Sequence, residues 1–373
     1  MRNLLKKARR VVVKIGSHVL TQKGGRVQWG VLKSLCAEMG GLHAHGKDVV
    51  VVTSGAIRCG SERLRLGDFK TIPEKQAAAS IGQGILMEAY IQAFARKRIL
   101  AGQILLTRDD VADRRRYLNA KHTFLSLFQH KAVPVVNEND TVAVEEIKEM
   151  QFGENDTLAA LVANIVEADA LVLLSDVEGF YTEDPRANKN AQFIETVDSL
   201  DATLEQYAKG SSTSFGGMKA KFRAARIAAR SGIPMVIAHG HRRNVLRDIF
   251  DGREVGTFFQ PRKETLSARK CWIAFCAQRK GAMIVNEGAK KAMAQGGKSL
   301  LPSGILTVEG HFQRGDTVSV RGEDKKTFAA GISTYTTDEV KKIKGENSSN
   351  IAKILGYHVA DEVIHRDNLA LLI

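Results

Sequence analysis

Short apolar runs alternate with amphipathic stretches from residue 11 to about residue 260 of the chain. The apolar runs predict strands over 11–16, 48–53, 102–106, 132–136, 170–174 and 233–238. The stretches between them predict helices over 27–45, 76–98, 115–131, 155–168 and 219–231. Because the predicted strands are continuously apolar rather than alternating, they are typical of a parallel sheet covered by helices on both faces. The pattern therefore predicts an α/β domain, open and doubly wound, with a mainly parallel sheet sandwiched by helices.

The last third of the chain has a different pattern. Residues 261–280 are basic and irregular, which favours a linker. From 281 to 373, short extended runs separated by Gly-rich turns surround one helical stretch near 337–353. We therefore expect a first domain over 1–260, a linker over 261–280 and a small, mostly-β domain over 281–373.

The composition narrows the class of protein. Of the 373 residues, 44% are hydrophobic and 26% are charged, which excludes wholesale disorder. No apolar run approaches the roughly 20 residues that cross a bilayer. The apolar stretch Val11–Val13 is cut by Lys14 and is too short for a secretion signal. Four cysteines without a CxxC pair suit a reducing cytosol, so we expect a cytoplasmic protein without a membrane partner.

The formal net charge of +14 favours either simple solubility or an anionic partner, which would be nucleic acid or phosphate.

The residues that follow each strand are the candidates for function, since a doubly wound sheet binds its ligand beyond the carboxyl ends of its strands. Lys14 interrupts the first apolar run, and Gly16 and Ser17 follow it. A lysine is costly to bury unless it faces a charge partner or a cleft, so we expect Lys14 to contact a phosphate. The alternative is a lysine that reaches solvent at the strand end. Ser54 and Gly55 follow the second strand, where Ser54 either caps a helix or offers a hydroxyl group.

Two dense polar clusters occupy 137–140 and 153–156. The first ends the strand at 132–136, where Asp140 is suited either to pair with a substrate ammonium group or to form a polar turn. The second precedes a predicted helix, which one Asn or Asp would cap. A cap explains one such residue but does not explain two clusters of carboxylates and carboxamides.

A glycine pair opens the last predicted helix of the first domain. Gly216 and Gly217 would leave backbone N–H groups free at the helix start, where the helix dipole favours an anion. Lys221 adds a full positive charge one turn later. Ser175 and Asp176 end the strand at 170–174 and belong to a loop rich in turn residues.

These parts suit phosphoryl transfer without a P-loop. Such a transfer depends mostly on positioning and on neutralising the charge of the moving phosphoryl group, with Mg²⁺ bridging oxygens of ATP. Lys14 and Lys221 would supply that charge from opposite sides, and Asp156 would hold both ammonium groups. We predict no metal site made by the protein, because Mg²⁺ would be held mainly by the ATP phosphates. A carboxylate acceptor would need no general base, since a side chain with a pKa of about 4.3 is already ionised near pH 7.

Longer blocks of sequence resemble the glutamate 5-kinase family, in which an amino-acid kinase domain precedes a PUA domain. The matching blocks are VVVKIGSHVLT, VVTSGAI, QAAASIGQG, LLTRDD, RRYLNA, VPVVNENDTVAVEEI, GENDTLAAL, LLSDVEGFYTEDPR, GGMKAK, SLLPSGI, GHFQRGD and IAKILGY. The likeness covers essentially the whole chain. It implies the amino-acid kinase fold followed by a PUA-like domain. It also implies ATP-dependent phosphorylation of the γ-carboxylate of L-glutamate to L-glutamyl 5-phosphate, the first step of proline biosynthesis.

The resemblance further implies roles for individual residues. The implied catalytic residues are Lys14, Asp156 and Lys221. The residues implied to bind the nucleotide are Gly16, Ser17, Ser175, Asp176, Phe215, Gly216, Gly217, Met218 and Lys221. The residues implied to bind glutamate are Ser54, Gly55, Asp140 and Asn155. The implied partners are L-glutamate and ATP with Mg²⁺, proline as a feedback inhibitor, and further copies of the chain in a homodimer or homotetramer.

Two alternatives remain beside this interpretation. The first is another amino-acid kinase, acting on acetylglutamate, aspartate or a nucleotide, but the block NENDTVAVEEI followed by GENDTLAAL and a PUA-like tail argues against it. A PUA-mediated RNA-binding protein would explain the positive charge in a different way. Residues 281–373, however, carry 12 Lys and Arg against 11 Asp and Glu. Because a nucleic-acid module needs a basic patch, we predict no meaningful RNA affinity for these residues.

Overall fold

The computed structural model describes two compact units. The described residues are 2–22, 24–65, 69, 71–143, 155–183, 185, 188–200, 204, 207 and 216–372. Unit 1 comprises Met1–Val111 and Arg115–Thr265, and unit 2 comprises Ala112–Arg114 and Leu266–Ile373. The domain limits expected from the sequence, at residues 260 and 281, stay predictions.

Unit 1 is built on one large sheet. Its strands are β1 (Arg10–Ile15), β2 (Asp48–Val52), β3 (Ala101–Leu106), β4 (Val133–Glu138), β5 (Ala170–Ser175), β6 (Phe180–Tyr181), β7 (Phe193–Ile194), β8 (Thr196–Val197), β9 (Met235–His239) and β10 (Thr257–Phe259). Eight of these strands form a sheet in the order β3-β4-β2-β1-β5-β9-β10-β8. Neighbouring strands are parallel throughout, except that β10 runs antiparallel to β9. β6 and β7 form a separate antiparallel pair.

Helices cover both faces of this sheet. They are α1 (Asn3–Lys7), α2 (Ser17–Leu20), α3 (Trp29–Ala44), α4 (Ala56–Leu64), α5 (Ile72–Ala95), α6 (Arg108–Ala112), α7 (Arg114–Gln129), α8 (Asn155–Ile165), α9 (Gly216–Arg230) and α10 (Val245–Phe250). One core cluster joins Val11, Val13 and Ile15 of β1 to side chains of α3, α5 and α10. Since side chains alternate along a strand, Val12 and Lys14 face the opposite side, where α8 packs against β1 and β5. The predicted doubly wound, mainly parallel α/β fold is confirmed.

The central position of β1 determines where a ligand site can form. The chain places β2, β4 and β3 on one side of β1 and then returns to place β5 and β9 on the other. The strand order therefore reverses at β1. In open α/β sheets the ligand crevice lies beyond the carboxyl ends of the strands at this point.

Unit 2 contains a smaller, separate sheet. Its strands are β11 (Arg279–Val285), β12 (Ile305–Gly310), β13 (Thr317–Arg321), β14 (Thr327–Ile332) and β15 (Leu369–Leu371), in the order β12-β11-β13-β14-β15. Its helices are α11 (Ala268–Cys271), α12 (Glu287–Gly296), α13 (Thr337–Ile343) and α14 (Ile351–Leu355), with a π-helix over Trp272–Cys276. Apolar side chains of this sheet and these helices form a core of their own. The predicted mostly-β module is confirmed.

Some expectations about individual elements differ from the structure. The single helix expected near 337–353 is two helices, α13 and α14. They are separated by a turn in which Gly345 adopts a φ of +80° that other residues rarely adopt. The segment expected to be an irregular linker contains α11 and the π-helix. Helix α4 follows β2, where a strand-to-helix turn at Ser54 was expected but the extent of the helix was not predicted.

No helix within the described residues has both the length and the apolar character that a membrane-spanning segment requires.

Candidate active site

A buried ion triad lies at the carboxyl end of β1. Lys14 Nζ lies 2.6 Å from Asp156 Oδ1, and Lys221 Nζ donates to Asp156 Oδ2 over 3.0 Å. The exposed fractions are 8% for each lysine and 2% for Asp156. The three residues come from β1, from the first turn of α8 and from the second turn of α9. The structure thus brings together all three residues that the sequence proposed as catalytic.

The charges of the triad determine its protonation. Burial alone would raise the pKa of the Asp156 carboxyl group, but Lys14 and Lys221 outweigh burial and lower this pKa to about 2. Asp156 is therefore ionised at neutral pH. Its two oxygens are each used by one ammonium group, so a single carboxylate fixes the separation of the two positive charges.

The turn after β1 passes beside this triad. The Gly16 N–H donates to the Leu174 carbonyl of β5 over 2.9 Å. A Cβ atom added at Gly16 would lie 3.2 Å from that carbonyl oxygen and 3.8 Å from Lys14 Nζ. A side chain at Gly16 would therefore be tight against β5 and would contact the Lys14 ammonium group, and Ser17 follows as the first residue of α2. Gly16 and Ser17 are both partly exposed beside Lys14.

The turn after β2 meets the turn after β1. Gly55 precedes α4 with a φ of +104°, and a Cβ atom there would lie 3.3 Å from Thr21 Cγ2 and 3.7 Å from Ser17 Cβ. The Ser54 hydroxyl donates to the Ile15 carbonyl over 3.0 Å. Ser54 is not used as a side-chain cap of α4. Its hydroxyl oxygen instead lies next to the end of β1.

A chain of amide hydrogen bonds begins at the residue before Asp156. Asn155 Nδ2 donates to the Thr53 carbonyl over 2.6 Å and to Asn137 Oδ1 over 2.9 Å. Asn137 Nδ2 in turn donates to Gln83 Oε1 over 2.8 Å. The Thr53 hydroxyl accepts a hydrogen bond from the buried Tyr90 hydroxyl over 3.0 Å. The start of α8 is therefore tied to the carboxyl ends of β2 and β4 and to α5.

A cavity of about 220 Å³ lies beside these amides. Among the described residues that line it are Ala56, Ala79, Ser80, Gln83, Gly84, Gln103, Leu105, Glu138, Asn139, Asp140 and Thr141. Glu138 and Asp140 contribute acidic side chains to this lining, and Gln83 contributes an amide. A small molecule that carries an ammonium group suits this lining.

The residues expected on the nucleotide side lie at the ends of neighbouring elements. Ser175 ends β5, lies opposite His239 in the register of β5 with β9, and donates from its hydroxyl to Asp176 Oδ1 over 3.2 Å. Gly216, Gly217 and Met218 open α9, and the Met218 side chain is buried. Phe215 lies outside the described residues. The roles of these residues in nucleotide binding stay predictions.

Within the described part of the chain, no group of three or more His, Cys, Asp and Glu side chains is placed to hold a metal ion.

Comparison with known proteins places this arrangement in a family. A model of the amino acid kinase family matches residues 9–239. The chain belongs to the amino acid kinase family. A model of the PUA domain matches residues 281–355.

This amino acid kinase is similar over its whole length to proteins named glutamate 5-kinase. Those of Pelobacter propionicus, Carboxydothermus hydrogenoformans and a Geobacter species are 46%, 49% and 48% identical to it. Each of these similarities covers 100% of this chain and 100% of the relative. The resemblance that the sequence blocks indicated is confirmed.

Sequence reasoning missed two side chains of this amino acid kinase. Asn137 belongs to the first polar cluster but was not singled out, and Gln83 lies in the block QAAASIGQG of a predicted helix, where no role was assigned to it. Asn137 is 2% exposed, and its position directly after a buried apolar run was an available signal. The block that contains Gln83 gave no sign of its contact, because its partner Asn137 lies 54 residues away along the chain.

Proposed function

We propose that this amino acid kinase transfers the γ-phosphoryl group of ATP to the γ-carboxylate of L-glutamate. The products are ADP and L-glutamyl 5-phosphate, and the reaction is the first step of proline biosynthesis. The observation that carries this proposal is the similarity of the entire chain to glutamate 5-kinases, with 46–49% identity. The buried ion triad supports it, since two fixed positive charges suit a moving phosphoryl group.

The transfer forms one bond and breaks another. An oxygen of the γ-carboxylate attacks the γ-phosphorus, the bond from that phosphorus to the β,γ-bridging oxygen breaks, and ADP keeps the electron pair. The carboxylate is already ionised near neutral pH, so no proton has to be removed from it. For this reason the proposal assigns no general base.

Lys14 and Lys221 act on the negative charge of the phosphates. Asp156 holds their ammonium groups on opposite sides of one carboxylate, with N–O distances of 2.6 and 3.0 Å. Because the site is largely excluded from water, such preorganised charges stabilise the transition state more than they would in solvent. The turn at Gly16 and Ser17 offers the backbone N–H and the hydroxyl of Ser17 beside them.

Glutamate would lie between this triad and the cavity. The proposal assigns Asp140 to the α-ammonium group, because a carboxylate in the cavity lining suits a cation. Ser54, Gly55 and Asn155 would position the rest of the molecule, since they surround the carboxyl ends of β1 and β2. This placement directs the γ-carboxylate towards Lys14.

Mg²⁺ enters this scheme with the nucleotide substrate. In this proposal Mg²⁺ would be held mainly by the ATP phosphates, where it would neutralise charge. Ser175, Asp176 and the start of α9 would bind the remainder of the nucleotide. We also propose that the enzyme works in the cytoplasm as a homodimer or homotetramer and that proline inhibits it.

The test is an assay of ADP release with L-glutamate, L-aspartate and N-acetyl-L-glutamate as acceptors. Hydroxylamine in the reaction would trap an acyl phosphate as a hydroxamate. We expect hydroxamate and ADP with L-glutamate alone, and neither in a Lys221→Met control prepared in the same way. Turnover of aspartate or acetylglutamate in preference to glutamate would overturn the proposal, as would ADP release without hydroxamate.

A further inference from the structure

The amide chain at the substrate side has a fixed direction. A main-chain carbonyl can only accept, so the Thr53 oxygen requires Asn155 to present its Nδ2 group. The same Nδ2 group also donates to Asn137 Oδ1. Asn137 Nδ2 is therefore the group that donates to Gln83. Gln83 therefore presents Oε1 to Asn137, and its Nε2 group must point elsewhere.

That Nε2 group carries two N–H donors and is buried. It has no hydrogen-bond partner among the described residues. Gln83 also lines the cavity of about 220 Å³, together with Asp140 and Glu138. A buried donor without a partner is costly, and native proteins rarely leave one unsatisfied. The position therefore suits an acceptor group supplied by a ligand.

The surroundings define the chemistry of that ligand. The acidic side chains of the cavity suit an ammonium group, and the N–H groups of Gln83 suit an oxygen acceptor, with a carboxylate the strongest. An α-amino acid carries both groups on one carbon atom. The γ-carboxylate of glutamate is needed at Lys14, so the carboxylate available to Gln83 is the α-carboxylate.

We propose that Gln83 determines specificity for the free α-carboxylate of the amino-acid substrate, to which Nε2 donates. This inference rests on the proposed function and deepens it. Asp140 and Gln83 then recognise the two charged groups at Cα, while Asn155 and Asn137 hold Gln83 in the orientation that exposes its donors. A substrate with an α-amide would place N–H groups near a donor and would bind less well.

The test compares L-glutamate with L-isoglutamine, which keeps the γ-carboxylate and replaces the α-carboxylate by an amide. Full-length wild type, Gln83→Met and Gln83→Glu would be assayed for kcat and KM with each acceptor. Gln92→Met is the matched control, because Gln92 lies on the exposed side of the same helix and bonds to Glu88. Circular dichroism and thermal unfolding would establish that each variant folds, and Gln83→Glu keeps the shape of the side chain.

We expect the wild type to prefer L-glutamate over L-isoglutamine in kcat/KM by about tenfold or more, the scale of one hydrogen bond to a charged group. In Gln83→Met this preference falls towards unity through a higher KM for glutamate, while the KM for ATP is unchanged. In Gln83→Glu the preference falls further, because the new carboxylate repels the α-carboxylate and accepts from the amide. Gln92→Met keeps the wild-type preference.

The outcomes separate the two proposals. A wild type that does not phosphorylate glutamate overturns the proposed function and this inference with it. An active wild type whose preference is the same in both Gln83 variants overturns this inference alone. In that case the Nε2 group is satisfied by a buried water molecule and Gln83 only supports the fold.

Discussion

Replacing Asp156 by Asn tests whether one carboxylate organises the active site. Asn has nearly the same shape but no charge, so the change leaves two buried ammonium groups without their counter-ion. We expect Asp156→Asn to lower both the stability of unit 1 and the turnover number. The expected losses can be worked out from the structure.

The lowered pKa of Asp156 gives the order of magnitude of the loss of stability. Its value is about 2 against an ordinary 3.8, and each unit corresponds to about 1.4 kcal/mol, so ionised Asp156 stabilises the fold by about 2 kcal/mol. Removal of one partner from a buried ion pair typically costs about 3–5 kcal/mol. Because both lysines keep slight exposure, 8% each, we expect a loss of about 2–4 kcal/mol at pH 7.

The pH dependence of this loss has a definite sign. The folded protein lowers the pKa of Asp156, so the stabilisation is fully present above about pH 4, the ordinary range of the carboxyl group. It decreases as the pH falls towards the folded value of about 2. The difference in stability between wild type and Asp156→Asn should therefore be constant from pH 8 to pH 5 and shrink below pH 4.

The assay is urea unfolding followed by fluorescence. The chain has two tryptophans, Trp29 in unit 1 and Trp272 in unit 2. In a Trp272→Phe background the fluorescence reports on unit 1 alone. A loss below about 0.5 kcal/mol for Asp156→Asn, a value typical of exposed pairs, would refute a buried triad.

A second variant separates stability from catalysis. Lys14→Met, Asp156→Leu and Lys221→Met together replace the triad by apolar groups of similar volume, a change that is often neutral for stability. We expect this triple variant to recover most of the stability lost in Asp156→Asn while remaining inactive. Recovery of turnover along with stability would show that the charges act on the fold and not on the reaction.

The remaining predictions concern single groups and the second unit. Lys14→Met and Lys221→Met should each reduce kcat by roughly 100-fold or more in the coupled ADP assay. The circular dichroism of each variant should remain that of the wild type. Near-normal turnover in either variant would contradict the role of that lysine in phosphoryl transfer. Gly60→Ala should destabilise unit 1 by about 1–3 kcal/mol in the urea assay, because the new methyl group would lie 1.7 Å from the Ala78 carbonyl oxygen. Its control Gly41→Ala, a helical glycine with no atom within 4 Å of the new methyl group, should be neutral or stabilising. Residues 281–373 should contribute no tight, salt-sensitive binding to RNA in a filter-binding assay, because their charge is near neutral. Binding through these residues that weakens steeply with salt would contradict this prediction.

The main strands of unit 1 were predictable because burial acts strongly on their composition. A parallel strand covered by helices on both faces must be apolar along its length. The buried runs Val11–Val13 and 170–174 can therefore be recognised as strands from the sequence. Lys14 was conspicuous for the same reason, since it is a charge within such a run. Asp156, at the start of a predicted helix, was the partner that the sequence suggested for Lys14. The order of the strands brings the two residues together.

Other parts could not be predicted because they depend on contacts between distant residues. Helix α4 packs closely on α5 through Gly60 and Gly82, whose Cβ atoms would overlap backbone atoms of the other helix. In a single sequence, Gly60 inside α4 argues against a helix and carries no sign of a partner. The orientation of Gln83 likewise depends on Asn137 and Asn155, and no local pattern encodes a hydrogen-bond chain across three elements.

The two residues that open α8 connect the halves of the site. Successive residues of a helix point about 100° apart, so Asn155 faces Thr53 and Asn137 while Asp156 faces Lys14 and Lys221. The same helical turn therefore holds the amides beside the substrate cavity and the charges for the phosphoryl group. Because both contacts depend on one backbone position, a shift of this turn would change the affinity for glutamate and the turnover number together. A change in only one of these two quantities is expected from residues that contact one half of the site alone, such as Gln83.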